Sequence, residues 1–194
     1  MQNKKTDTPQ TVLNTALTLF TKEGYFNTSV HDIARVSGVS VGSIYHHFKD
    51  KEGVARALYT LLLEDMSREL SAFQEQYESA CEQCHAVIKR MFMLTESDPE
   101  RMEFMLYSKH REFLQNELPV CSSTPFKLMR EMVQRGMDRG EIVEMDLMVA
   151  SSCLYGGALR MITSRLDGIV EKDLMEYFDD VWICSWRAVS VDDK

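Results

Sequence analysis

The sequence predicts an all-α protein of about nine helices, and three observations carry that expectation. Only four prolines and nine glycines interrupt 194 residues, so breakers of helical structure are scarce. Apolar residues recur three and four apart through most of the chain, the period of amphipathic helices. Polar caps and glycine stops fall where those runs begin and end.

The stretch VHDIARVSGVSVGSIYHHF, residues 30–48, is the clearest case. Ser29 and Asp32 have the spacing of a capping box ahead of Ile33 and Ala34. Gly38 stands where a helix ends in the left-handed conformation. Ser40 caps a second helix over 41–47, and Asp50 caps the next. Two short helices joined by a glycine-containing turn predict a helix-turn-helix, whose second helix fits the DNA major groove. Ile33, Ala34, Val39, Ile44 and Phe48 form the inner face, which leaves Gly42, Ser43 and His46 outward and Tyr45 and His47 at the flanks. Tyr45 has a core reading beside Ile44, and His47 one as a bridge to the first helix.

The remaining elements follow in order. A first helix is expected over 9–23, with Val12, Leu13, Ala16, Leu17, Leu19 and Phe20 on one face. Gly24 ends it, and Tyr25 and Phe26 tuck under the turn. The helix capped by Asp50 should run over 51–79, long enough to leave the first domain, 1–50, and enter the second, 51–194. In the second domain the pattern predicts helices over 81–94, from 99 through Phe113 and Leu114, over 125–137, 146–165 and 171–189. Pro99 and Pro125 open two of them, Pro119 breaks one, and Gly140 and Gly168 separate the last three.

Charge is divided unevenly. The chain carries −8 overall, yet residues 1–56 hold seven Lys/Arg against five Asp/Glu. A weakly basic head on an acidic body suits DNA contact at one end. No signal peptide or membrane-length apolar run is present, and five scattered cysteines fit a reducing cytoplasm. No phosphate loop, G-x-S-x-G elbow or H-E-x-x-H pair occurs, so no enzyme is expected. Cys81-Glu82-Gln83-Cys84-His85 spells C-x-x-C-H, but without export or a second ligand pair it predicts neither haem nor metal. No cofactor is expected.

The segment ALTLFTKEGYFNTSVHDIARVSGVSVGSIYHHFKDKEGVARALY resembles the DNA-binding domain of the tetracycline-repressor (TetR) family of bacterial transcriptional regulators. The likeness is carried by F-x-x-x-G-Y, T-S-V-x-D-I-A, G-V-S-x-G-S-I-Y-x-H-F and K-x-K-E, across about a quarter of the chain. It implies an all-α homodimer with a three-helix head, a larger ligand-binding and dimerisation body, and a palindromic operator in double-stranded DNA. By position it implies DNA contact by Ser29, His31, Val41, Gly42, Ser43, Tyr45, His46, His47, Lys49 and Lys51. Val41 departs from the family, where this position is often polar; it suits a thymine methyl.

Two features of the body add to this. Gly156-Gly157 falls inside a helix, where each glycine costs about 1 kcal/mol, which is reasonable if another backbone approaches closely. With Leu154, Met161, Phe178, Val181, Trp182 and Trp186 it suggests a two-fold interface; packing within one chain is the other reading. Twelve of 13 methionines lie beyond residue 57, many beside aromatics, as at adaptable binding surfaces. Core packing accounts for many of these, and the resemblance implies a pocket. Candidates for lining it are Met66, Phe92, Phe104, Met105, Tyr107, His110, Met129 and Tyr155, with Arg111 and Cys121 as further polar contacts. The expected function is a repressor released by a small, largely apolar effector. The alternative is a DNA-binding regulator controlled by a protein partner or by redox chemistry at Cys81 and Cys84.

Overall fold

The computed structural model describes residues 8–107 and 122–191. Among these residues the regular elements are nine α-helices and one 3-10 turn: α1 (Thr8–Lys22), α2 (Val30–Ser37), α3 (Val41–Phe48), α4 (Lys51–Gln76), α5 (Ala80–Ser97), α6 (Pro99–Tyr107), α7 (Thr124–Asp138), α8 (Leu147–Leu166), the 3-10 turn (Leu174–Tyr177) and α9 (Phe178–Arg187).

Two apolar cores hold them together. The head core is built by α1, Val30, Ile33, Ile44 and the first half of α4, from Val54 to Leu62. Phe104 and Met105 of α6 complete it: Phe104 is 1% exposed and stacks on Phe20 at 6.3 Å. The body core gathers α5, α7, α8 and α9 around Ile88, Phe92, Met129, Met132, Leu154 and Ile162. Leu70, in the second half of α4, belongs to this second core. One helix therefore spans both cores, as its length predicts. The head core reaches past residue 50 and recruits α6, whose apolar pattern alone gives no sign of which core it serves.

Several elements differ from expectation at their ends. The helix from Asp50 stops at Gln76, because Tyr77 turns extended and Ser79 opens α5 with a capping box to Glu82. That box starts α5 at Ala80 and carries it to Ser97. The single helix expected over 171–189 is a 3-10 turn followed by a ten-residue α9. Ile169 and Val170 donate their N–H groups back to the Ser164 carbonyl, and Asp173 caps at Met175, so the chain spends these residues closing α8. Phe26 is 66% exposed; only Tyr25 tucks under, its ring 5.3 Å from Phe20. The expected helix through Phe113 and Leu114 and the break at Pro119 lie outside the described residues.

A candidate nucleic-acid interface and the body behind it

The α2–α3 pair is fixed largely by local chemistry. The Ser29 hydroxyl accepts the Asp32 N–H at 3.1 Å, while Asp32 Oδ2 accepts the Ser29 N–H at 3.0 Å and its hydroxyl at 2.6 Å. These bonds, with Arg35 3.1 Å away, hold the Asp32 carboxyl down at about 2. Gly38 ends α2 at φ 72°, a conformation that penalises any Cβ, and its N–H returns to the Ala34 carbonyl. Ser40 then caps α3 through the Ser43 N–H.

Within α3 only Ile44 is buried, at 0% exposure. Gly42, Tyr45, His46 and His47 are exposed, Val41 and Ser43 half-buried, and Ser29 and His31 exposed at the start of α2. Tyr45 is 47% exposed, so it is not a core residue, and His47 stacks edge-on with His46 at 5.3 Å instead of packing inward. An eight-residue helix of about 12 Å thus turns one continuous polar and aromatic face outward.

Lys49 and Lys51 stand differently. Lys49 is exposed at φ 69°, the one non-glycine residue with positive φ among those described. Lys51 is half-buried; its Nζ donates to the Tyr25 carbonyl at 2.8 Å and sits 4.2 Å over the Tyr25 ring. Burial lowers its pKa, so this lysine braces the start of α4 against the α1–α2 turn as well as lying near the outer face. Reading by motif misses Gly53 altogether. A Cβ there would lie 1.7 Å from the Phe48 carbonyl oxygen, so α3 and α4 meet this closely only over a glycine.

Behind the head, α6 is clamped to both α1 and α4. Glu100 accepts the Thr18 hydroxyl at 2.7 Å and pairs with Lys22 at 3.3 Å, while Arg101 pairs with Asp65 at 3.3 Å. Phe104 is therefore a head-core residue rather than a pocket wall, and Met105 packs in the same core while also bordering a small space. Tyr107 is 41% exposed, with its hydroxyl 2.8 Å from Asp167 Oδ1. Phe92 is packed solid in the body core, and His110, Arg111 and Cys121 lie outside the described residues. The candidate lining residues divide between two spaces: Met66 and Met105 border one between α4, α5 and α6, and Met129 and Tyr155 another between α7 and α8.

The residues expected at a two-fold contact divide too. Leu154 and Phe178 are buried in the protomer's own core, and Phe178 packs its ring 4.9 Å from His85. Met161, Val181, Trp182 and Trp186 are half-buried against that core. Gly156 and Gly157 are exposed; a Cβ at Gly156 would meet nothing, and one at Gly157 only the Ser185 hydroxyl at 3.9 Å. Among the described residues, no backbone of another element takes up the space these glycines leave.

The cysteine pair is chemically quiet. Cys84 is buried and accepts a hydrogen bond from the Tyr155 hydroxyl at 3.1 Å, and burial pushes its thiol up to about 12. Burial, with Glu141 and Glu82 nearby, raises Cys81 too. His85 packs edge-on against Phe178 and Trp182. Among the described residues no cluster of His, Cys, Asp and Glu could hold a metal, and no helix is long and apolar enough to cross a membrane.

Comparison with known proteins agrees with this geometry. The sequence profile of the bacterial regulatory proteins of the tetR family matches residues 12–58, the stretch from α1 into α4. The transcriptional regulator UidR of Escherichia coli K12 is 33% identical over 78 residues, 40% of this chain and 38% of UidR. The fatty acid metabolism regulator protein of Bacillus subtilis is 24% identical over 184 residues, 88% of this chain and 89% of that protein. The crystal structure of FadR from Bacillus subtilis in complex with stearoyl-CoA superposes with a TM-score of 0.74 over 92% of this chain and 98% of that one, at 21% identity. UidR and FadR carry the name of transcriptional regulators, and the family match spans the capped α2–α3 pair. Residues 12–58, about a quarter of the chain, match the tetR family of bacterial regulatory proteins, and beyond them the likeness is one of fold.

Proposed function

We propose that this chain is a cytoplasmic transcriptional repressor, without enzymatic activity, that binds a palindromic DNA operator as a homodimer and is released by a small, largely apolar effector. The observation that carries this reading is the outer face of α3. Gly42, Ser43, Tyr45 and His46 project from a helix anchored by Ile44 with Val41 and Phe48 packed partly beside it, and α-helical N–H groups and Lys49 are available to phosphate. Ser29 and His31 extend the same surface from α2. Two such heads must stand about 34–36 Å apart to enter successive major grooves. The open strip at Gly156 and Gly157 is the feature of the body that suits a two-fold partner.

Release requires that the effector prefer the DNA-incompetent spacing of the heads, since equal affinity for both states shifts nothing. The α6 clamp supplies the linkage: Glu100, Phe104 and Met105 tie this body helix to α1, so movement of α6 moves the head. The stearoyl-CoA complex of a relative favours an effector with an alkyl chain. Redox control through Cys81 and Cys84 fits poorly, because both thiols are held protonated and the thiolate is the reactive form.

The test is a mobility-shift titration on DNA from upstream of the protein's own gene. Tyr45→Ala and His46→Ala should each weaken binding about tenfold or more with helicity unchanged. Equal binding by these variants would show that α3 is not the reader. Sedimentation showing only single protomers at the concentrations that bind DNA would remove the two-fold arrangement.

A further inference from the structure

The two spaces that hold the candidate lining residues are unequal. The one between α4, α5 and α6, bordered by Met66, Met91 and Met105, has a volume of about 20 Å³, room for roughly one water. The groove between α7 and α8 has a volume of about 190 Å³, on the order of six water volumes. Its walls are Phe126, Met129, Met148, Tyr155 and Leu159, and it opens beside the exposed Met148, Ser152 and Gly156.

One polar group in this wall stands out. Ser151 lines the groove at 9% exposure, and its hydroxyl oxygen has no hydrogen-bond partner among the described residues. A buried hydroxyl without a partner is disfavoured, and an arriving oxygen would relieve it. Tyr155 does not compete for the role, because its own hydroxyl is turned to Cys84 and it offers the groove its ring. Arg130 places a cation at the rim. The wall positions Met148, Tyr155 and Leu159 follow one face of α8 at helical spacing.

We propose that this groove, rather than the space between α4, α5 and α6, is the effector site, and that it takes a slender alkyl molecule bearing one oxygen, bonded by Ser151. The inference rests on the effector reading given under the proposed function. An alcohol and a carboxylic acid share this chemistry, and the experiment separates them.

The full-length protein, labelled at methionine methyl groups with carbon-13 and assigned by single Met→Leu replacements, is titrated with 1-octanol, octanoate and octane. Saturable shifts are expected at Met129 and Met148, and none at Met66, Met91 or Met105. Ser151→Ala should weaken octanol about fivefold and leave octane unchanged. Octanoate binding more tightly than octanol assigns an acid to the site through Arg130, and the reverse assigns an alcohol; both support the groove. Shifts confined to Met66, Met91 and Met105, no saturable shift with any of the three, or unchanged octanol binding by Ser151→Ala would overturn the proposal. Operator binding is measured on the same sample. Its absence strikes the proposed function and leaves the groove to be judged by its methyl shifts, whereas intact operator binding without shifts strikes the groove alone.

Discussion

In the head, α2 and α3 are eight residues each and bury Val30 and Ile33 in one, Ile44 in the other. In the body, α8 runs twenty residues and buries seven, from Ala150 to Ser164. Helices as short as the first pair do not persist alone in water. They are held by side-chain caps at Ser29 and Ser40 and by one or two deep anchors each, which leaves their outer faces exposed. The long body helices carry caps too, Ser79 on α5 and Asp146 on α8, but add broad packing that the short pair lacks. The head should therefore be sensitive to small local changes, and the body to changes in shape.

Four substitutions would sharpen or break that contrast. Phe104→Ala should cost about 4 kcal/mol, because it opens a cavity against Phe20 in the head core from a body helix. Hydrogen exchange should then show α1 and α3 opening before α5 and α8; uniform loss across the chain would mean that the two cores melt as one. Gly53→Ala should cost about 3 kcal/mol by denaturant unfolding, against the usual gain of alanine over glycine in a helix, because its Cβ strikes the Phe48 carbonyl. A gain would show that the α3–α4 junction yields easily.

Ser29→Ala should cost about 1 kcal/mol at pH 7. Its partner Asp32 has a folded pKa of about 2, below the ordinary 3.8, so the carboxylate favours the fold above pH 3.8 and that contribution is lost as pH falls through 2. The gap between parent and variant should accordingly narrow in thermal melts taken from pH 4 down to pH 2. Smallest is Lys49→Gly, which relieves the positive φ and should raise stability by about 0.5 kcal/mol. The same variant should bind operator more weakly, separating the conformational cost of Lys49 from its charge.

How much of this was legible varies with how local the cause is. Ser29, Gly38, Ser40 and Asp50 act within four residues of themselves, and the structure places each of these caps as the sequence predicts. The start of α9 was harder: the helix expected from 171 begins only at Phe178, after a 3-10 turn capped by Asp173. Of the α3 residues that periodicity turned outward, Gly42 and His46 are exposed and Ser43 is half-buried, while Tyr45 and His47, expected at the flanks, are exposed as well. The pocket candidates did not converge, since a methionine at helical spacing looks the same whether it faces a core, a neighbouring domain or a cavity. Gly53 gave no signal: its need for a bare Cα comes from a carbonyl on another helix.

The sequence by itself determined the helical class, the capped α2–α3 pair and the face that pair turns outward, because caps and amphipathic period act over one or two turns. Only the tertiary structure decided that α6 gives Phe104 and Met105 to the head core and Met102 to the body core, that Lys51 is braced on Tyr25, and that Ser151 stands in a groove without a partner among the described residues. Those facts depend on which surfaces meet at long separation, where burial and close approach choose among faces that are equally apolar in sequence.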